Sequence, residues 1–129
     1  MKPGVTWMKE DEVARACQLA LANGAAVFEF KSGPATTAGL FEAIRGSLPL
    51  DPPVIGSSSW DALSDSLWGG LDSLDQREVV LAWLGASEFK TVAPAEFEIA
   101  ADILRTVAEG LGSWEATYGE PKRVTVLLA

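Results

Sequence analysis

The sequence predicts an α/β fold in which a small, three-stranded parallel sheet is packed with helices. Apolar runs of strand length alternate with amphipathic stretches of helical spacing along the chain of 129 residues, and this alternation is typical of parallel sheets with right-handed crossovers. The run at 79–84, Val-Val-Leu-Ala-Trp-Leu, is apolar at every position. Such a run is expected of a parallel strand that is covered on both faces.

The N-terminal part is expected to add one helix to this core. Residues 1–8 contain Pro3-Gly4 and are predicted to form an arm. A helix is predicted from Glu10 to Ala22, because acidic residues at its start suit the helix dipole and Asn23-Gly24 can end it. We expect this helix to cover the sheet face that the other helices leave open. Its apolar stripe consists of Val13, Ala16, Cys17, Ala20 and Leu21.

The remaining elements follow from apolar periodicity and from turn residues. We therefore divide the chain into an N-terminal arm and helix at 1–25 and a main domain at 26–129. Strands are predicted at 25–30, 79–84 and 123–128. One helix is predicted from a cap at Thr36 or Thr37 to about Leu48, and another from Trp60 to the Gly69-Gly70 pair. A short turn of helix is predicted at 71–77, and a longer helix from Pro94 to Leu111. Long loops are predicted at 48–59, which contains three prolines, and at 113–121.

The helix that begins at Trp60 has two distinct faces. Ser59 is a suitable N-cap, and Gly69-Gly70 is predicted to end the helix after about two and a half turns. At 100° per residue, one side carries Trp60, Leu63 and Leu67, and another carries Asp61, Ser64, Asp65 and Trp68. Like charges four residues apart cost a helix about 0.2 to 0.5 kcal/mol. The acidic pair is therefore a candidate for binding something outside the fold.

The charge pattern favours a basic protein as the partner. Residues 46–76 contain five aspartates and no Lys or Arg, and the whole chain has a net charge of −8. The negative electrostatic field of these charges attracts basic proteins and disfavours binding of nucleic acid and anionic membranes. An equally weighted alternative is that Asp61 only suits the positive end of its helix and that the other aspartates are solvated turn residues.

The residue inventory excludes several function classes. The chain contains no His, which removes the usual general base, the commonest metal ligand and the histidine-dependent triads. The single Cys17 excludes an internal disulfide, and its apolar surroundings indicate a small buried thiol. We expect no cofactor and no metal. The absence of a long apolar run and of a signal-peptide pattern predicts a soluble, cytoplasmic protein.

Four short segments carry a resemblance to a known family. Residues 60–67 read Trp-Asp-Ala-Leu-Ser-Asp-Ser-Leu, which matches the inhibitory-helix pattern Asn-(Leu/Trp)-Asp-Ala-Leu-x-Asp-x-Leu. The supporting matches are the strands at 27–30, 79–83 and 124–128. In these segments the sequence resembles the barstar family of ribonuclease inhibitors, over about residues 26–128. The resemblance implies a compact domain with three parallel strands, whose helix and preceding loop plug the active site of a secreted ribonuclease.

The resemblance also implies which residues bind the partner. Asp65 matches the carboxylate that enters the phosphate pocket of the nuclease, and Asp61 matches its neighbour one turn earlier. Ser59 lies where the family usually has Asn. Glu109, in the later helix, matches an acidic residue that contacts the nuclease beside the plug. For Glu109 an ordinary surface glutamate is an equally weighted interpretation.

Three positions depart from the family pattern. Four residues separate Gly56 from Asp61, where the family commonly has three. Val54-Ile55 replaces a tyrosine-rich pair, and Ser64 lies where an aromatic residue is frequent. Trp68 is a candidate to replace the lost aromatic contact, although a tryptophan near a helix end is more often packed. The partner therefore need not be a barnase-type enzyme.

Three functions remain in competition at this point. The leading hypothesis is a cytoplasmic immunity protein, a monomer when free, that forms a one-to-one complex with a basic ribonuclease toxin. A second is a barstar-like module that binds a different basic protein without inhibiting a nuclease. The third is an enzyme that uses Asp61 and Asp65 as an acid/base pair or as Mg²⁺ ligands. The third is disfavoured because no cleft, histidine or phosphate-binding glycine loop accompanies the carboxylates.

Overall fold

The computed structural model describes residues 3–56 and 58–129, and within them strands and helices alternate along the chain. The first two residues of the predicted arm and Ser57 lie outside the described residues. The strands are β1 (Gly4–Trp7), β2 (Ala26–Lys31), β3 (Glu78–Leu84) and β4 (Arg123–Leu128). The helices are α1 (Glu10–Ala22), α2 (Thr37–Ser47), α3 (Trp60–Asp72), α4 (Ala86–Val92) and α5 (Pro94–Leu111).

The prediction of a three-stranded sheet is wrong, because the described part of the chain forms four parallel strands. Their order is β1-β4-β3-β2. The additional strand comes from the segment predicted as an arm: Gly4 aligns with Thr125 and Trp7 with Leu128. The amide of Met8 continues the pairing and donates to the Leu128 carbonyl at 2.9 Å. The short segment forms a strand because it satisfies backbone groups along the outer edge of β4.

Helices cover both faces of the sheet, as the sequence predicts. The larger core lies between one face and helices α2 to α5. The smaller core lies on the other face, where Val13 and Cys17 of α1 pack with Val80, Ala82 and Leu127 of the strands. Alternate residues of β3 therefore enter different cores, which explains why the run at 79–84 is apolar at every position. The apolar stripe of α1 is narrower than predicted, since the Leu21 side chain is exposed.

Helix α3 continues through the glycine pair that was predicted to end it. It runs to Asp72, and Gly69 and Gly70 are both helical. A Cβ built on Gly69 would lie 2.2 Å from the Asp51 carbonyl oxygen, and one built on Gly70 would lie 1.9 Å from that of Pro49. The two glycines thus allow the backbone of the 48–59 loop to pass close to the helix. The predicted separate turn of helix at 71–77 is also wrong, because its first two residues belong to α3.

Apolar side chains at helical spacing attach α2 and α5 to the larger core. Thr36, one of the two predicted caps, begins α2 by accepting a hydrogen bond from the Gly39 amide at 3.1 Å. The buried side chains include Leu40, Phe41, Ile44 and Leu48, and Phe97, Ala101, Leu104, Ala108 and Leu111. Helix α4 is not predicted from the sequence, because it is short and lies between the apolar runs of β3 and α5. None of the helices in residues 3–56 and 58–129 has the length and hydropathy needed to cross a bilayer.

Candidate functional site

Helix α3 is fixed to the protein along its apolar side. Leu63 and Leu67 are buried in the larger core, and the ring of Trp60 meets that of Phe41 edge to face, with centroids 5.0 Å apart. At the start of the helix, the Ser59 hydroxyl accepts a hydrogen bond from the Ala62 amide at 3.3 Å, as the sequence predicts for an N-cap. The helix is therefore a rigid support for the side chains on its outer face.

Asp61 and Asp65 both lie on the exposed side of this helix. Neither carboxylate forms an ion pair with a Lys or Arg among the described residues, where the ion pairs are Arg15–Asp11, Arg77–Glu120 and Arg105–Asp102. Two negative charges are consequently held one helical turn apart on a stable surface, without an ion pair to any Lys or Arg in residues 3–56 and 58–129. Such a pair is suited to receive cationic groups of another molecule.

A groove between α3 and α5 enlarges the acidic surface. Its volume is about 510 Å³. Glu98, Asp102 and Arg105 of α5 line it together with Asp61, and Arg105 is hydrogen-bonded to Asp102. The apolar part of the lining comes from Trp60, Ile99 and Ile103. Glu98 and Asp102 are exposed on their helix, and the packing of α5 beside α3 brings them next to Asp61.

Trp68 and Glu109 lie at the other end of the α3–α5 contact. Trp68 is partly buried at the edge of the larger core, and a Cβ built on Gly110 would lie 2.4 Å from its ring. Glu109 is exposed and adjacent to Gly110, and it lines an open groove with Pro3, Gly4 and Arg123. Trp68 is thus packed on one side, whereas the Glu109 carboxylate faces solvent. Because Asp61 lies near residues 98–105 and Trp68 near Gly110, α3 and α5 run in the same direction.

The loop before α3 presents an apolar side chain that the sequence analysis did not assign to the site. The amide of Asp51 donates to the Ser66 carbonyl at 2.9 Å, and Nε of Arg45 donates to the Val54 carbonyl at 2.7 Å. Val54 is buried, but the next residue, Ile55, is 83% exposed. The loop is anchored on both sides of Pro52-Pro53, so the backbone that carries Ile55, five residues before the start of α3, is fixed. The signal in the sequence is the pair of consecutive apolar residues before Gly56, of which the structure buries one and exposes the other.

The candidate surface is an open face that carries carboxylates and apolar side chains. Within the described residues, no group of three or more His, Cys, Asp and Glu side chains is arranged to hold a metal ion. The carboxylates of α3 lie on an open helix face beside a shallow groove, with exposed and partly buried apolar side chains around them. Exposed carboxylates beside exposed apolar side chains form a surface that a partner with cations and apolar area of its own can cover.

Comparison with protein families identifies the family to which this chain is related. A family model described as barstar, the barnase inhibitor, matches residues 25–127, which is most of the chain. This chain belongs to the barstar family. Comparisons with curated proteins and with solved structures gave no significant match.

The barstar match includes every element of the candidate site. It begins just before β2 and ends within β4, so it contains the 48–59 loop, α3 and α5. Strand β1 and helix α1 precede it. In this member of the barstar family, the sheet therefore has a fourth strand from outside the matched region, and the α1 helix on its second face also comes from outside that region.

Proposed function

We propose that the protein is an inhibitor of a basic ribonuclease, an immunity protein that occludes the active site of the enzyme with helix α3. The single observation that carries this proposal is the exposed pair Asp61 and Asp65, which no described Lys or Arg neutralises. Membership of the barstar family supports a ribonuclease as the partner in general terms. The division into an N-terminal addition at 1–25 and an inhibitory domain at 26–129 is part of the same proposal.

The proposed mechanism is replacement of RNA phosphates by carboxylates. A ribonuclease binds the phosphates of its substrate with cationic side chains, and carboxylates on a rigid support can occupy the same positions. Asp65 would enter the phosphate pocket, and Asp61 would bind the cations one turn away. Because the helix is already ordered by its cap and its buried face, little conformational entropy is lost on binding.

The surrounding residues have distinct proposed roles. Ser59 fixes the start of α3 and lies at the edge of the contact. Ile55 supplies apolar area where the family pattern has tyrosines, while Trp68 acts mainly by holding α3 against α5. Glu109 and Glu98 extend the acidic surface to the neighbouring helix and add to the field that steers a basic partner.

The proposed complex contains one inhibitor and one ribonuclease, and the free inhibitor is a monomer of the cytoplasm. The inhibitor itself is proposed to have no enzymatic activity and to use no cofactor. The alternative is a barstar-like module for a basic protein that is not a nuclease. The change at Ile55 keeps this alternative in view, because an aliphatic side chain cannot stack on a nucleobase-binding surface as a tyrosine can.

Affinity capture followed by an activity assay separates the two functions. The immobilised chain would be exposed to an extract and a culture supernatant of the source strain, with the Asp61→Asn, Asp65→Asn double variant as the matched control. We expect a basic protein that binds only the unaltered chain, cleaves RNA when released, and is inhibited when one equivalent of the chain is added. A specific basic partner that cleaves no RNA would contradict the ribonuclease proposal and favour the alternative.

A further inference from the structure

Two aromatic side chains on the loop between α5 and β4 make little contact with the rest of the protein. Trp114 is 69% exposed and Tyr118 is 96% exposed. A side chain that is almost fully exposed contributes nothing to the hydrophobic core, and exposed aromatic rings lose the favourable burial that such rings usually provide. Hydrophobic packing therefore does not explain why a tyrosine is present at position 118.

The backbone conformation at position 118 does not explain the presence of a tyrosine either. Its φ angle is +54°, in the left-handed region where glycine and asparagine are favoured and a bulky side chain is an outlier. Gly119 follows with a φ angle of +84°. A glycine at 118 would suit this turn better than a tyrosine. An unfavourable backbone conformation that presents an exposed aromatic ring points to a role outside folding.

Hydrogen bonds order the backbone of the loop that carries both aromatic residues. The Thr117 amide donates to the Ser113 carbonyl at 3.2 Å, the Gly119 amide donates to the Trp114 carbonyl at 2.8 Å, and the Thr117 hydroxyl donates to the Ser113 carbonyl at 2.7 Å. The Trp114 ring lies over Gly119, since a Cβ built there would be 3.3 Å from it. The backbone at both residues and the Trp114 ring are therefore positioned before any partner binds.

The loop lies beside the C-terminal end of the candidate binding surface. It begins three residues after Gly110, on which Trp68 packs. At its other end, Glu120 lines a groove with Asp72, the last residue of α3, and with Asp75, Arg77 and Lys122, and it forms an ion pair with Arg77. Glu115 is exposed between the two aromatic residues. The rings thus stand next to a glutamate that forms no ion pair with a Lys or Arg among the described residues.

We infer that Trp114 and Tyr118 form a second contact for the basic partner, and that their rings receive its arginine or lysine side chains. The inference rests on the proposed function, because it concerns the same partner. Cations bind favourably over aromatic faces, and tryptophan and tyrosine are enriched among residues that dominate binding energy. Glu115, which lies between the two aromatic residues in the sequence, strengthens attraction to cations and disfavours an anionic membrane as the occupant.

Titration with a hexa-arginine peptide tests the inference without the natural partner. Amide and indole NMR signals of the full chain would be followed at about 0.15 M salt, an ionic strength that screens distant charges. We expect shifts at Trp114 and Tyr118 as well as at Asp61 and Asp65. The Trp114→Ala, Tyr118→Gly double variant is expected to bind the peptide about fivefold more weakly or worse. Leu19→Ala, Leu21→Ala on α1 removes exposed apolar side chains from the opposite sheet face and should not alter the affinity.

Tyr118→Gly alone separates binding from folding. Because glycine suits the left-handed backbone, we expect the thermal midpoint of this variant to be equal to or higher than that of the unaltered chain, while its affinity for the peptide falls. A lower midpoint with unchanged affinity would give Tyr118 a structural role and overturn the inference.

The remaining outcomes distinguish this inference from the proposed function. Shifts at α3 with unchanged signals and affinity at the loop would overturn the inference alone. Shifts at the loop without shifts at α3 would support the loop contact and contradict the role of Asp61 and Asp65. A tryptophan fluorescence change with phosphatidylcholine vesicles that Trp114→Ala abolishes, and no change with the peptide, would overturn the inference in favour of a membrane contact.

Discussion

The ring of Trp68 lies directly against the backbone of Gly110, where a Cβ would be 2.4 Å from Cζ3 of the indole. This contact joins the C-terminal halves of α3 and α5. At the other end of the same pair of helices, Asp61 and Glu98 line one groove. The position of α3 relative to α5 therefore depends on Gly110, which has no side chain that could contact a partner.

Gly110→Ala is expected to destabilise the protein by about 1–3 kcal/mol, because the added methyl group must displace the Trp68 ring. Unfolding in urea, followed by tryptophan fluorescence, measures the change. Gly46→Ala is the matched control, since Gly46 is also helical and has no neighbouring atom within 4 Å of a built Cβ. The control should gain up to about 1 kcal/mol from helix propensity. Equal stability of the two variants would contradict the close contact.

Asp65→Asn is expected to leave stability unchanged or to raise it by about 0.2–0.5 kcal/mol, because it removes a like-charge pair four residues apart. Asp61→Asn relieves the same repulsion but also loses the interaction of Asp61, in the first turn of α3, with the helix dipole, which is worth about 0.3–1 kcal/mol. It should therefore be less stable than Asp65→Asn. Thermal unfolding at low ionic strength compares the two. A clear loss of stability in Asp65→Asn would indicate that its carboxylate serves the fold.

Lys122→Met is expected to destabilise the protein by about 1–3 kcal/mol through the loss of two hydrogen bonds. The buried ammonium group donates to the carbonyl oxygens of Leu74 at 2.6 Å and Gln76 at 2.8 Å, and so fixes the segment between α3 and β3. Arg123→Met changes the neighbouring, exposed cation and is the control in chemical denaturation. A similar small effect of both substitutions would refute this role for Lys122.

Cys17 should be unreactive in the folded protein. Burial, and secondly the charge and hydrogen bond of Glu29, raise its pKa from 9.0 to about 11. At pH 8 the reactive thiolate should be about 100-fold rarer than in the unfolded chain, and the rate of reaction with a disulfide reagent in the presence and absence of urea measures this difference.

The same shift gives a pH dependence of stability. Because the folded-state pKa is the higher one, the stabilising contribution is fully present below pH 9.0 and is lost as the pH rises towards about 11. The free energy of unfolding should therefore fall across this interval by more in the unaltered chain than in Cys17→Ala. Parallel curves for the two proteins would show that the environment of Cys17 does not disfavour its thiolate.

The sequence predicts the main core well because helical and strand periodicities report which side chains are buried. The faces of α3 and α5 follow from spacing alone. Gly69-Gly70 was misinterpreted as a helix end, since a glycine that permits a close backbone approach looks the same in sequence as one that ends a helix. Strand β1 was missed because four residues after Pro3 carry too little periodicity to indicate pairing with a strand at the far end of the chain.

The composition of the binding surface is less predictable than its central residues. Asp61 and Asp65 are recognisable because they share one helix face. The addition of Glu98 depends on the packing of α5, and the exposure of Ile55 depends on how the loop is anchored to α3. The unusual backbone of Tyr118 likewise has no signal in composition. These features arise from contacts between distant segments, which local patterns do not encode.

The most direct test of the central claim is the inhibition constant of the Asp61→Asn, Asp65→Asn double variant against the captured ribonuclease. The control is Glu10→Gln, Asp11→Asn on α1, which removes the same charge from the opposite side of the sheet. We predict that the double variant of α3 inhibits RNA cleavage about 100-fold more weakly or worse, that the control is nearly unaffected, and that added salt weakens the unaltered inhibitor more than the double variant. Equal inhibition by the unaltered chain and the α3 variant would contradict the account.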